Sequence, residues 1–197
     1  MHHEPMAQKA QMLLMACRRL LREEPAGEGR AAFFPIPAII LASLASEVAM
    51  KALICRRHGI TSREGLERLL KPDRKARMGR HDLLTLFRRL PPADRTAIRT
   101  KTMGLCNGRM MSVVYSLASQ DGEYIKKQQI TIPPRPNKFI KRLASCRRTF
   151  EDWRYSYESE ELQTDETFLH SFAQTVVEAV IPPPYQTPSE PSPSGSR

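Results

Sequence analysis

The stretch PAIILASLASEVAMKALICRR, residues 37–57, decides the fold. Ile39, Ile40, Leu41, Leu44, Ala45, Val48, Ala49, Ala52, Leu53 and Ile54 cover most of the circumference of a helix. A helix apolar on nearly every side is buried on most sides. Pro35 and Pro37 suit its first turn. Arg56, Arg57 and His58 place positive charge at its C-terminus, where the helix dipole favours it, and Gly59 is the expected capping residue. Residues 31–46 are uncharged, but Glu47 and Lys51 interrupt the rest of the apolar run. A bilayer span needs about 20 predominantly apolar residues, so a buried core helix and no membrane association are expected.

Helical periodicity continues on both sides. Leu13, Leu14, Cys17, Leu20 and Leu21 form a stripe on a helix expected over about Glu4–Glu24, ended by Pro25, Gly27 and Gly29. Ser62 is placed to cap a short helix containing Leu66, Leu69 and Leu70. Leu83, Leu86, Phe87 and Leu90 define a helix over about Asp82–Leu90, stopped by Pro91 and Pro92. Asp94 is expected to cap a helix near residues 95–103. Val113–Ser119 is read as a further helical piece, and Asp121–Pro136 as an irregular or short extended excursion, not a sheet. Asn137 is placed to cap a long helix reaching about Glu161. Along it Phe139, Leu143, Cys146, Phe150, Trp153 and Tyr157 alternate at spacings of four and three. Thr164, followed by Asp165 and Glu166, opens a last helix with Phe168, Leu169, Phe172, Val176, Val177 and Val180 as its core stripe. The Pro/Ser-rich residues 182–197 carry no core positions and are expected to be disordered. The expected architecture is all-α: one domain over residues 1–181, an antiparallel up-and-down bundle of about five main helices.

Charge is unevenly placed. The net charge is +10, yet residues 1–150 carry 29 Lys and Arg against 12 Asp and Glu, and residues 151–180 carry one Arg against eight acids. A basic body attracts polyanions such as RNA or DNA; alternatively, the acidic segment neutralises part of that surface within the fold. The densest basic stretch, with Arg74, Lys75, Arg77 and Arg80, reads as an exposed loop that would meet nucleic acid. Cys17, Cys55, Cys106 and Cys146 are dispersed, with no CxxC pair and no zinc-type cluster. With no secretion signal in the N-terminal residues, they read as free thiols in the cytoplasm. No metal and no cofactor is expected: the GxSxG, GxxxxGK[ST], HExxH and GxGxxG signatures are all missing.

Three polar features stand out. Glu47 and Lys51 are four residues apart on the apolar helix, Glu first, the favourable order. Burial there demands that each charge have a partner, because a lone buried charge costs several kcal/mol; the alternative is a narrow exposed strip. His81, with Asp82, opens a helix after the basic loop. Arg154 and Glu158, with Tyr155 between them, lie beside the seam of the long helix.

The stretch Ala45-Ser46-Glu47-Val48-Ala49-Met50-Lys51-Ala52-Leu53, the Gly59 stop, His81-Asp82-Leu83-Leu84 and Arg154-Tyr155 together resemble the HEPN superfamily of small helical bundles over residues 35–180. That resemblance implies a homodimer, a role in bacterial defence or a toxin–antitoxin pair with an antitoxin-like protein partner, and action on RNA or a nucleotide. Active members are metal-independent ribonucleases with an R-x4–6-H motif on a late helix. This chain departs from that motif: no histidine follows Arg147, Arg148 or Arg154 at that spacing, and Arg74 with His81 matches it only across the basic loop. In a ribonuclease, His81 would move the proton and Arg154 would stabilise charge on the phosphorus centre. The competing expectation is a non-catalytic helical module that binds a protein or a nucleic-acid backbone.

Overall fold

The computed structural model describes residues 3–22, 35–70, 81–106, 111–116, 126–131, 139–150 and 161–181. Among them are seven helices: α1 (His3–Arg22), α2 (Pro35–His58), α3 (Arg63–Leu69), α4 (Leu83–Arg89), α5 (Pro92–Cys106), α6 (Phe139–Ser145) and α7 (Glu166–Val180). Three strands accompany them: β1 (Met111–Ser116), β2 (Lys126–Thr131) and β3 (Glu161–Asp165).

The central position of α2 follows from its composition. Ala38, Ile39, Ala42, Ala45, Ala49, Met50, Ala52 and Ile54 are completely buried. Its many alanines let neighbouring helices approach closely. α1 packs along it with Ala7, Ala10, Leu14 and Cys17, spaced three, four and three so that they share one face. α7 packs on a further side, and α4 on another. Ile60 donates its N–H to the Cys55 carbonyl at 2.9 Å, and Gly59 takes φ +61°, so the helix ends where a residue without Cβ is available. Among the described residues α2 alone has the length and mean hydropathy, 1.9, of a bilayer-spanning helix, but 72% of that apolar window is buried inside the protein. Here that hydropathy marks the core helix.

The second half of the core is aromatic. Phe87 of α4, Phe139 of α6, and Phe168 and Phe172 of α7 form one cluster, with centroids 5.0 Å apart for Phe87–Phe139 and 5.4 Å for Phe139–Phe168. Such offset and edge-on pairs add to the apolar burial itself. Next to them, Arg142 and Asp165 form a buried two-point ion pair, Nε–Oδ2 2.5 Å and Nη2–Oδ1 2.9 Å. Asp165 Oδ1 also accepts the Phe168 N–H at 3.1 Å, capping α7. The Arg142 guanidinium stands 4.8 Å from the centre of the Phe168 ring. Burial opposes the charge on Arg142, but Asp165 outweighs it and raises the pKa.

The helical body carries the all-α character expected of the chain. The local exceptions are corrections. Residues 113–116, read as helical, are strand: β1 lies at the centre of a three-stranded antiparallel sheet, in the order β2-β1-β3, and residues 117–119 lie outside the described residues. Val113 pairs with Gln129 on one side and Thr164 on the other. β2 places Lys126–Thr131 in that sheet, within the segment read as irregular or short extended; the extended form agrees, and the correction is its pairing into a sheet. The long helix expected from residue 137 to 161 is broken after Ser145 by a turn at 146–148 and is helical again at 149–150; residues 151–160 lie outside the described residues, and Glu161 belongs to β3. The reason is pairing: Val113, Val114 and Tyr115 favour a strand once two partners are present, and β3 delivers Asp165 to the start of α7. α5 begins at Pro92, so Asp94 lies inside its first turn and holds Arg57 instead of capping. Asn137, Trp153, Tyr157 and the tail 182–197 lie outside the described residues.

Candidate functional site

Two of the three polar features meet. Glu47 is buried, and its Oε1 accepts the Lys51 ammonium at 2.5 Å from the next turn of α2. The same oxygen lies 2.8 Å from His81 Nδ1, across 34 residues of chain. The expectation of a buried pair on α2 therefore holds for the carboxylate, while Lys51 keeps 16% of its side chain exposed. Glu47 Oε2 is buried with no hydrogen-bond partner among the described residues.

His81 is held from its chain neighbours. Asp82 caps α4, its Oδ1 accepting the Thr85 N–H at 2.8 Å. Its Oδ2 accepts Arg147 Nε at 2.7 Å and Nη2 at 2.5 Å. The Arg147 carbonyl accepts the Leu83 N–H at 3.1 Å. The turn after α6 thus grips both residues that follow His81, and the ring of Phe150, just beyond that turn, lies 6.4 Å from the His81 ring, centre to centre. His81 remains 48% exposed.

This arrangement has definite chemistry. A carboxylate on Nδ1 favours the tautomer with the proton there, leaving Nε2 as the basic nitrogen when the ring is neutral. A ring so oriented and half open to solvent can take or give a proton. Lys51 and Arg147 bring positive charge to its edges, each already tied to one carboxylate.

Arg154, Tyr155 and Glu158, and the loop cations Arg74, Lys75, Arg77 and Arg80, lie outside the described residues. Among the described residues, no group of three or more His, Cys, Asp or Glu is arranged to hold a metal ion. The exposed Arg88 and Arg89 at the far end of α4 extend the basic character away from His81. Sequence reasoning missed Arg147, whose partner is 65 positions away, and Arg142, whose side chain is buried although charged. For Arg142 a signal existed: it sits three residues after Phe139 and immediately before Leu143, at the margin of the apolar seam.

Comparison with protein-family models, with curated proteins and with solved structures gave no match to this chain.

Proposed function

We propose that this chain is a HEPN-like helical protein directed at RNA or a nucleotide, and that it cleaves RNA without a metal through His81. The observation that carries this reading is the 2.8 Å contact between the buried Glu47 carboxylate and Nδ1 of a half-exposed His81. Glu47 orients the ring, Nε2 removes a proton from a ribose hydroxyl, and a neighbouring cation offsets the growing phosphate charge. Arg154 is the cation that the family resemblance implies. The excess of 29 basic over 12 acidic residues in the first 150 supplies the phosphate affinity. The setting that goes with this reading is bacterial defence or a toxin–antitoxin pair, with a cytoplasmic homodimer and an antitoxin-like partner.

The test is incubation of folded protein with RNA in EDTA. Cleavage that persists in EDTA and disappears in His81→Ala supports the reading; RNA left intact by the wild type removes the enzymatic part of it.

A second reading has its own observation. Lys51 and Arg147 each already hold a carboxylate, Glu47 and Asp82. That suits a non-catalytic module whose polar cluster fixes α4 against α2 and whose basic surface binds a backbone or a protein. Affinity for an RNA that falls steeply with salt marks phosphate binding. Affinity unchanged between low and high salt marks a protein partner instead.

A further inference from the structure

The four cysteines are all buried, but their surroundings differ. Burial pushes the thiols of Cys55 and Cys106 up, and that of Cys146 up to about 12. A thiol so placed is inert, because the nucleophile is the thiolate. Cys17 is distinguished by what its sulfur touches. Its Sγ lies 3.3 Å from His170 Nδ1, on α7, and 3.3 Å from the Ala38 carbonyl, on α2. The other nitrogen of the same ring, Nε2, faces Glu166 Oε1 at 3.6 Å, an ion-pair separation one helical turn away. Thiol, imidazole and carboxylate therefore stand in the order nucleophile, base and supporting anion. Burial disfavours charge on His170, yet its contacts with Cys17 and Glu166 outweigh it and raise its pKa to about 9.

We propose that Cys17 is the reactive thiol of this chain, activated by His170 and Glu166, and a site of oxidation by small peroxides. Cys17 is completely buried, whereas the His170 side chain is 19% exposed. The oxidant must therefore be of nearly water size and approach along the imidazole. The Sγ–H lies within reach of both the Ala38 carbonyl and Nδ1, and its passage to a neutral Nδ1 gives the thiolate–imidazolium form. In the thiolate–imidazolium form, Sγ attacks one peroxide oxygen and the O–O bond breaks. The imidazolium proton passes to the departing hydroxide, which leaves as water. The sulfur is oxidised to a sulfenic acid and the peroxide is reduced. Glu166, 3.6 Å from Nε2 and beyond hydrogen-bond reach, favours the charged ring by its negative charge.

Treatment of the folded full chain with dilute hydrogen peroxide, followed by trapping of sulfenic acid and peptide mass spectrometry, tests this. Cys17, whose sulfur alone of the four has an imidazole at 3.3 Å among the described residues, is expected to react at least about tenfold faster than Cys55, Cys106 or Cys146. His170→Gln is expected to abolish that advantage and leave the other three rates unchanged. Equal rates at all four cysteines of the wild type, a comparison that needs no variant to fold, overturn the proposal, as does an unchanged Cys17 rate in a folded His170→Gln protein.

Discussion

His81 Nδ1 and Lys51 Nζ converge on a single oxygen, Glu47 Oε1, at 2.8 and 2.5 Å. One buried carboxylate therefore ties the core helix α2 to the residue that leads into α4. Removing one partner of a buried ion pair costs about 3–5 kcal/mol when the survivor stays buried. Lys51 and His81 both reach solvent, which puts Glu47→Ala at or below the lower end, about 2–3 kcal/mol on the same scale. Glu47→Gln keeps an acceptor and is expected to cost less, about 1–2 kcal/mol for a weakened charged hydrogen bond. Urea unfolding measures both. A loss below about 0.5 kcal/mol for Glu47→Ala, the value of an exposed helix pair, means the carboxylate does not hold the two helices.

Arg142 and Asp165 are more deeply placed, with side chains 6% and 9% exposed. Asp165→Ala leaves the guanidinium unpaired and removes the α7 cap, so a loss of about 3–5 kcal/mol is expected from the pair, with about 1 kcal/mol more from the cap. Asp165→Asn keeps a capping oxygen and should be milder. In Arg142→Met/Asp165→Asn no charge is stranded. This double variant is expected to be more stable than the two single losses sum to, with a coupling of at least about 1 kcal/mol in a double-mutant cycle.

His170 gives the stability a pH dependence of definite sign. Its pKa in the folded protein, about 9, lies above the ordinary value of 6.5. The folded state therefore holds the proton more tightly than the unfolded chain. This contribution is fully present below about pH 6.5 and is lost as pH rises through about 9. A tenfold difference in proton affinity between the folded and unfolded states corresponds to about 1.4 kcal/mol. The thiols raised by burial also remove stability at high pH, through the same linkage but at higher values. The discriminating measurement is the wild-type stability minus that of His170→Gln, from about pH 6 to about pH 9.5, a window that brackets both proton affinities. That difference is expected to shrink across the window; a constant difference means the imidazole carries no extra proton in the fold.

These contacts also mark what a single sequence can disclose. The apolar run of α2, the stripes of α1 and α7 and the Ser62 cap obey local rules of periodicity and hydrogen bonding, and all appear in the structure. The sheet does not obey a local rule. Val113–Ser116 is too short to display a period, and its strand character depends on β2 and β3, the latter some 50 positions on. The site divides in the same way. Glu47 and Lys51 are legible because an i, i+4 pair on an apolar helix needs an explanation, and His81 because it opens a helix after a basic loop. That His81 is the residue meeting Glu47 is a long-range fact. Arg147 and the Cys17–His170 contact, separated by 153 positions, are of the same kind. In the sequence Cys17 is legible only as an apolar member of its stripe.

Arg147 yields the most specific functional expectation. Two of its N–H groups converge on Asp82 Oδ2, while its carbonyl receives the Leu83 N–H. Side-chain replacement removes the first contact and leaves the second, so α4 keeps its backbone anchor and its Thr85 cap. Arg147→Met is expected to cost about 1.5–3 kcal/mol, the value of hydrogen bonds to a charged acceptor. Arg147→Lys restores the charge but not the paired N–H geometry, and should recover less than half of that. His81 precedes Asp82 directly, so looser anchoring widens the range of ring positions. On the ribonuclease proposal, RNA cleavage by folded Arg147→Met then falls by about tenfold or more, as small misplacements of a reacting group do, while RNA affinity falls far less. Comparison of single-turnover rates with equilibrium binding for the same variant separates the two. A loss of affinity equal to the loss of rate makes Arg147 a phosphate-binding cation, and an unchanged rate removes His81 placement from its role.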